Sequence, residues 1–157
     1  MSDALGVSMR PATRADVGGI RELARTAYQM YVERMGREPA PMDADYVAAV
    51  QNGQAWVAEL DGRVVGLLVI VPAQDHLLLE NVAVAPQAQG LGVGGRLLRL
   101  AEDEARTRGV SEVRLYTNEL MTENLSYYPR HGYRETHRGL DQGFRRVFFT
   151  KVLRPDG

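Results

Sequence analysis

Apolar residues follow two different periods along this chain, and each change of period marks an element. From Leu77 to Val84 they form a strand-like run that stops at Pro86, and from Val93 they recur at helical spacing. Val93, Leu97, Ala101 and Ala105 share one face of this helix, Arg96, Arg99, Asp103 and Arg106 lie on others, and Gly109 ends it. Upstream, Val7 to Arg10 predicts a short strand closed by Pro11. Thr13 and Asp16 make a cap ahead of the face Val17, Ile20, Leu23, Ala24, Ala27 and Tyr31. That predicts a first helix to about Arg34, although Gly18-Gly19 weakens its first turns. The prolines of Gly36 to Pro41 favour an exposed loop, and Asp43 then caps a short helix through Val50 that stops at Asn52-Gly53.

Gln54 to Leu60 and Arg63 to Val71 read as two strands joined at Asp61-Gly62, a dipeptide suited to a two-residue hairpin, and Pro72 to Asp75 turns into the run at Leu77. Beyond Gly109, Val113 to Thr117 predicts a strand, parallel to Leu77–Val84 if the helix between them is a crossover. Glu123 to His131 predicts a short helix capped by Thr122, and Tyr133 to His137 and Phe144 to Leu153 close as strands. This order gives an α+β class: one mixed, mostly antiparallel sheet with helices packed on both faces, in a single domain over residues 1–157.

Composition narrows the function. A chain of 157 residues with 45% hydrophobic content can bury a full core, and a net charge of −1 offers no basic field for nucleic acid. Cysteine is absent, which excludes disulfides, thiolate metal sites and an acyl-cysteine intermediate. Neither a signal-like apolar region nor a span of about 18 apolar residues occurs, so a cytoplasmic location without a membrane partner is expected. His76, His131 and His137 have no metal-ligand spacing, and no metal is expected.

The turn between the apolar run and the following helix reads Gln89-Gly90-Leu91-Gly92-Val93-Gly94-Gly95. Glycine lets a ligand approach the backbone closely, the first N–H groups of a helix lack intrahelical partners, and the helix dipole adds positive charge, so this turn suits a phosphate or pyrophosphate. Gly90, Gly92 and Gly95 match a dinucleotide fingerprint, but Pro86 to Gln89 separate them from the strand, and Glu112, the nearest acidic residue at the right distance, precedes a strand instead of ending one. A phosphate loop of the Walker type fails because Arg96-Leu97 follows Gly95.

Gln89-x-x-Gly92-x-Gly94, entered from Val82-Ala83-Val84-Ala85-Pro86, resembles the pyrophosphate motif of the GNAT superfamily of N-acetyltransferases. A second segment, Asn124 to Tyr133, is similar to the stretch where these enzymes place an asparagine, a tyrosine, a glycine and an aromatic residue. The resemblance implies the same element order and acetyl-coenzyme A as cofactor. In it the backbone of Val82, Ala83 and Val84 holds the pantetheine arm, Gln89, Gly90, Leu91, Gly92, Val93, Gly94 and Gly95 hold the pyrophosphate, and Asn124 and Tyr128 contact the cofactor. Tyr128, four positions before Gly132, takes the role of general acid towards the leaving thiolate; Tyr127 is its rival by one register step. An N–H at Val82 also serves as oxyanion donor. The Asn-to-Tyr spacing is shorter than in many members, and Pro129 inside the helix should bend the chain beside the tyrosine.

The implied reaction is direct acetyl transfer to a small-molecule or peptide amine, with a homodimer left open. Glu80, two residues before Val82 and so on the same strand face, is the candidate base, and its apolar neighbours predict a partly desolvated carboxylate. A structural glutamate is the alternative. Acceptor walls are expected from Tyr31 to Met42, with Arg34, Arg37 and Glu38, and from a turn between His137 and Arg146 with Asp141. Two other functions fit the same loop: a catalytically silent acyl-coenzyme A sensor and a nucleotide-binding module.

Overall fold

A computed structural model describes residues 6–154. They group into two compact units, one containing the chain up to Ile70 with Asn81–Arg99, the other containing Val71–Glu80 with the chain from Leu100. Together they give the α+β class, with mixed, mostly antiparallel strand pairing. Among the described residues no helix is long and apolar enough to cross a membrane.

In the first unit, β1 (Ser8–Pro11), β2 (Ala55–Leu60), β3 (Arg63–Pro72, as far as Ile70) and the second half of β4 (Leu77–Val84) lie in the order β1-β2-β3-β4. β2 and β3 are antiparallel, and their hairpin turns on Asp61 and Gly62, with φ of 52° and 76°. Two successive positive φ values match the right-handed twist of the strands, which is why this dipeptide is legible as a turn. Helix α1 (Val17–Met35) buries Ile20, Leu23, Ala24 and Tyr31 on one face and ends on Gly36, whose φ of 72° closes the last turn. The next segment contains a 3₁₀ turn, Ala40–Asp43, with Pro39 buried, and not a loop exposed throughout. Asp45, not Asp43, caps α2 (Tyr46–Gln51), its side chain accepting from the Ala48 N–H.

The second unit has the order β4-β5-β7-β6, with β5 (Glu112–Asn118) parallel to β4 and antiparallel to β7 (Phe144–Val152). Helix α3 (Val93–Thr107) begins in the first unit and contributes buried Ala101, Glu102 and Ala105 here. α4 (Thr122–Arg130) follows β5 with Met121, not Thr122, at its cap position. β6 (Arg134–Asp141) runs four residues beyond the predicted end at His137, so the supposed long turn is a tight one at Gln142-Gly143, with φ of 52° and 82°. Its residues are nearly all exposed, so no alternation of burial marks its extent in the sequence. A bulge between Glu135 and His137 interrupts its pairing with β7.

The start of α1 is held by charge. Asp16, 9% exposed, accepts from Arg10 Nη1 at 2.7 Å and Nη2 at 2.9 Å and from the Thr13 N–H at 2.7 Å. The Arg10 guanidinium is the main reason its carboxyl is lowered from 3.8 to about 2. A depressed carboxylate stabilises the fold above its unfolded pKa, and that contribution, roughly 2 kcal/mol, is lost as pH falls through the folded value. Asp16→Asn should therefore melt below the wild type at neutral pH, and the two melting curves should converge as pH falls from about 4 to about 2. A gap unchanged over that window in a pH series of thermal melts would refute the coupling.

Candidate active site

The glycine turn belongs to the first unit. β4 leaves the strand at Ala85, whose N–H donates to the Val65 carbonyl at 2.8 Å, and a 3₁₀ turn over Pro86–Ala88 carries the chain to Gln89. Gly90 and Gly92 then take φ of 87° and 80°, which an L side chain rarely adopts, and a Cβ at either position would meet only open space. α3 starts at Val93, so Val93, Gly94 and Gly95 are the first-turn residues whose N–H groups have no intrahelical partner. The helix start is seated by Gly66 on β3, where a Cβ would lie 2.9 Å from Ala58 Cβ, 3.0 Å from Val93 Cγ1 and 3.1 Å from Leu97 Cδ1. The turn therefore presents open backbone backed by a close strand-to-helix contact, an arrangement suited to an anion as large as pyrophosphate.

Burial alternates along β4: Leu77, Leu79, Asn81 and Ala83 are buried, Leu78, Val82 and Val84 are half-buried and Glu80 is exposed. Glu80 and Val82 are thus in phase, but Glu80 is not the desolvated carboxylate its apolar neighbours predict. Asn81 is a site the sequence reading passes over. Only 6% exposed, it accepts from the Tyr28 hydroxyl through Oδ1 at 2.6 Å and donates through Nδ2 to the Tyr46 hydroxyl at 2.9 Å. The Tyr28 hydroxyl also reaches the Val82 carbonyl at 3.1 Å, and Tyr46 donates to the Pro41 carbonyl. Of the predicted acceptor walls, Arg34, Arg37 and Glu38 are exposed, and Arg34 lies over the Tyr31 ring at 5.1 Å.

Asn124, Tyr128 and Glu80 belong to the second unit. Asn124 donates its Nδ2 to Thr117 Oγ1 at 3.0 Å, which ties α4 to β5. Tyr128 is 6% exposed, with its ring 5.5 Å from Tyr127, 5.8 Å from Tyr133 and 5.9 Å from Phe149, whereas Tyr127 is half-buried against His131. Beyond Pro129 the helix closes, with His131 and Tyr133 both donating their N–H to the Tyr128 carbonyl. The Tyr133 hydroxyl is buried with no hydrogen-bond partner among the described residues, and burial, with Glu102 nearby, pushes its pKa up.

The parallel ladder of β4 and β5 spans Leu77↔Val113 to Leu79↔Leu115, and Glu80 and Tyr116 come directly after it. Tyr116 gathers charge around it: Arg146 sits over its ring at 4.1 Å, and the Tyr116 hydroxyl is raised by burial, opposed by Arg146 and reinforced by Glu80 and Asp141. Arg146 is itself 6% exposed and bonded to Asp141 at 2.6 Å. Leu78, Arg114, Tyr116, His137 and Phe148 line an open concavity of about 840 Å³ on this face. Register alone could have pointed to Tyr116 and Arg146, because the pairing Asn118↔Arg146 puts them diagonally on one sheet face.

Residues 19–133 match the family model described as "Acetyltransferase (GNAT) family". The chain belongs to the GNAT acetyltransferase family. Among curated proteins it is 36% identical over 89 residues to a probable N-acetyltransferase, camello, of Xenopus tropicalis, covering 55% of this chain and 41% of that protein. The chain thus spans about two fifths of the length of that relative. Its fold is that of the PaiA N-acetyltransferase of Thermoplasma acidophilum, solved with coenzyme A, at a TM-score of 0.79 and 16% identity over 93% of this chain and 98% of that one. Arabidopsis thaliana Naa50, solved with the bisubstrate analogue CoA-Ac-MVNAL, shares the fold at a TM-score of 0.74 and 15% identity, covering 94% of this chain and 99% of that one.

Proposed function

We propose that this chain is an acetyl-coenzyme A dependent N-acetyltransferase that moves the acetyl group directly to a small-molecule or peptide amine. The observation that carries the reading is the turn at Gly90 to Gly95 in a member of the GNAT family, with left-handed glycines and open space where a Cβ would stand. Coenzyme A in a solved protein of the same fold, and a peptide bisubstrate analogue in another, support the cofactor and the acceptor class.

Bound acetyl-coenzyme A supplies an activated thioester carbonyl. Around it Leu91 to Gly95, with Gln89 and Gly90, would hold the pyrophosphate, while Val82, Ala83 and Val84 would hold the pantetheine arm by their backbone. The Val82 N–H polarises the carbonyl. Tyr128 would give its hydroxyl proton to the departing sulfur as general acid. Asn124, whose Nδ2 donates to Thr117 Oγ1, would also contact the cofactor. Glu80, exposed and in phase with Val82, accepts the proton that an alkylammonium must lose before it attacks, directly or through water.

Gly92→Val puts a branched side chain into the anion's space at a left-handed position, so acetyl-coenzyme A affinity should fall several-fold or more while the chain still melts cooperatively. Unchanged binding by calorimetry would defeat the loop assignment. Tyr128→Phe should lower kcat by on the order of 10² with cofactor binding nearly unchanged. If Tyr127→Phe shows that loss instead, the acid is Tyr127; if the wild type binds the cofactor and releases no thiol against a broad amine panel, the protein is a sensor and not an enzyme. Glu80→Gln should lower kcat near neutral pH, with a deficit that shrinks towards about pH 10 as free amine becomes abundant in solution. A deficit constant across that pH–rate profile assigns Glu80 a structural role.

A further inference from the structure

In the second unit the order β4-β5-β7-β6 lines up one row of side chains across the sheet. Tyr116 on β5 and Phe148 on β7 are paired positions, and so are Phe148 and His137 on β6. Paired side chains stand on one face about 5 Å apart, and here the rings meet. His137 is stacked on Phe148 at 4.2 Å and 6°, and Phe148 lies 5.9 Å from Tyr116. On the β4 side the parallel ladder stops at Leu79↔Leu115, so Glu80 and Tyr116 are the next residues of their strands, and the Glu80 charge reaches the Tyr116 hydroxyl. Glu80 shares its strand face with Leu78, and Leu78, Tyr116, Phe148 and His137 all line the open concavity of about 840 Å³, a volume in the range of small-molecule sites. Most charge around this floor is already matched: Arg146, over the Tyr116 ring, is bonded to Asp141 at 2.6 Å, Arg114 to Glu112 at 2.9 Å and His76 to Asp75 at 2.7 Å. Arg134 also lines the concavity; it is exposed, and among the described residues no carboxylate is bonded to it. The floor thus offers a ligand ring surface with a positive charge beside it.

We propose that the acceptor is a monoamine with an aromatic ring two carbons from its nitrogen, the ring resting on the row Tyr116, Phe148 and His137 while the nitrogen faces Glu80. The proposal rests on the acetyltransferase reading, which makes Glu80 the base. Strand spacing sets the linker. Neighbouring strands lie about 4.8 Å apart, so a ring over Tyr116 or beyond stands about 5 Å or more from an amine at Glu80, and two carbons give that reach. Phenethylamine has this arrangement, and so does the N-terminus of a peptide that begins with phenylalanine. Contact between rings favours such an acceptor over an aliphatic amine, through the area removed from water and through offset or edge-to-face packing. Arg134 disfavours a second ammonium, as in a diamine.

The test measures free coenzyme A released with phenethylamine, n-propylamine, phenylalanyl-alanyl-alanine, trialanine and putrescine. Phenethylamine should exceed n-propylamine, or the phenylalanyl peptide exceed trialanine, by about tenfold or more in kcat/KM, with putrescine no better than n-propylamine. Whichever ring-bearing acceptor leads tells a free amine from a peptide. Phe148→Leu, which keeps an apolar side chain at a half-buried position, should remove most of that ratio by raising the KM of the ring-bearing acceptor, while ring-free acceptors and the KM for acetyl-coenzyme A change by no more than about twofold. His137→Ala, at an exposed position where the fold is not at risk, should lower the same ratio several-fold. Equal kcat/KM for ring-bearing and ring-free acceptors, or a ratio unchanged in both folded variants, overturns the proposal and leaves the acetyltransferase reading intact. Acetyl-coenzyme A that binds but is never turned over by the wild type with any acceptor overturns both.

Discussion

An amide buried in a strand must satisfy both of its ends, and this requirement at Asn81 organises the first unit. Apolar packing of Ile20, Leu23 and Ala24 holds α1 in place without fixing its height, because hydrophobic contact is non-directional. Hydrogen bonds are directional. With Asn81 nearly sealed from water, Tyr28 on α1 and Tyr46 on α2 must stand within bonding distance of one side chain on β4, and the 3₁₀ turn at Ala40–Asp43 is drawn in through the Pro41 carbonyl. Three elements are thereby indexed to one strand position, next to Val82. A network of this kind contributes less to stability than to uniqueness, since a partly satisfied version would cost more than an apolar core.

The glycine turn depends on a second constraint of a different kind, the exclusion of atoms. Gly66 lies in the middle of a β-strand, where glycine is normally a disadvantage, and its missing Cβ is what allows the first turns of α3 to rest on β2 and β3 through Ala58, Val93 and Leu97. The direction of the N–H groups at the start of α3 follows from that contact. Gly90 and Gly92 then need only conformational freedom, and their surroundings leave space on the outer side. One glycine serves packing and two leave open space.

How much of this was legible in the sequence depends on the reach of each interaction along the chain. Local chemistry read well: the Asp61-Gly62 hairpin, the end of α1 near Arg34, the run of β4 and the glycine turn are each decided within a few residues. Local chemistry also misled where two candidates stood close together, as at Asp43 and Asp45, because both can cap and only the path of the chain selects one. Interactions between distant residues were invisible. Nothing in the sequence separates Asn81 from an ordinary polar interruption of a strand, since Tyr28 is 53 residues away and Tyr46 is 35. The apolar sequence neighbours of Glu80 predict an enclosed carboxylate, but in a strand the adjacent positions face the other way. Arg146 and Tyr116 required the β5–β7 register, which no local pattern supplies.

β6 has a consequence for the chain in company with its copies. It ends the strand order, so among the described residues one side of its backbone has no neighbouring strand, and such a border is where foreign strands add and fibrils begin. Arg134, Glu135, His137 and Arg138 crowd this border with polar groups, and the bulge between Glu135 and His137 breaks the even spacing that an incoming strand would have to match. The polarity that hid β6 from the hydrophobic pattern is thus also what guards it: a strand too exposed to announce itself in sequence is one that resists being extended by another chain.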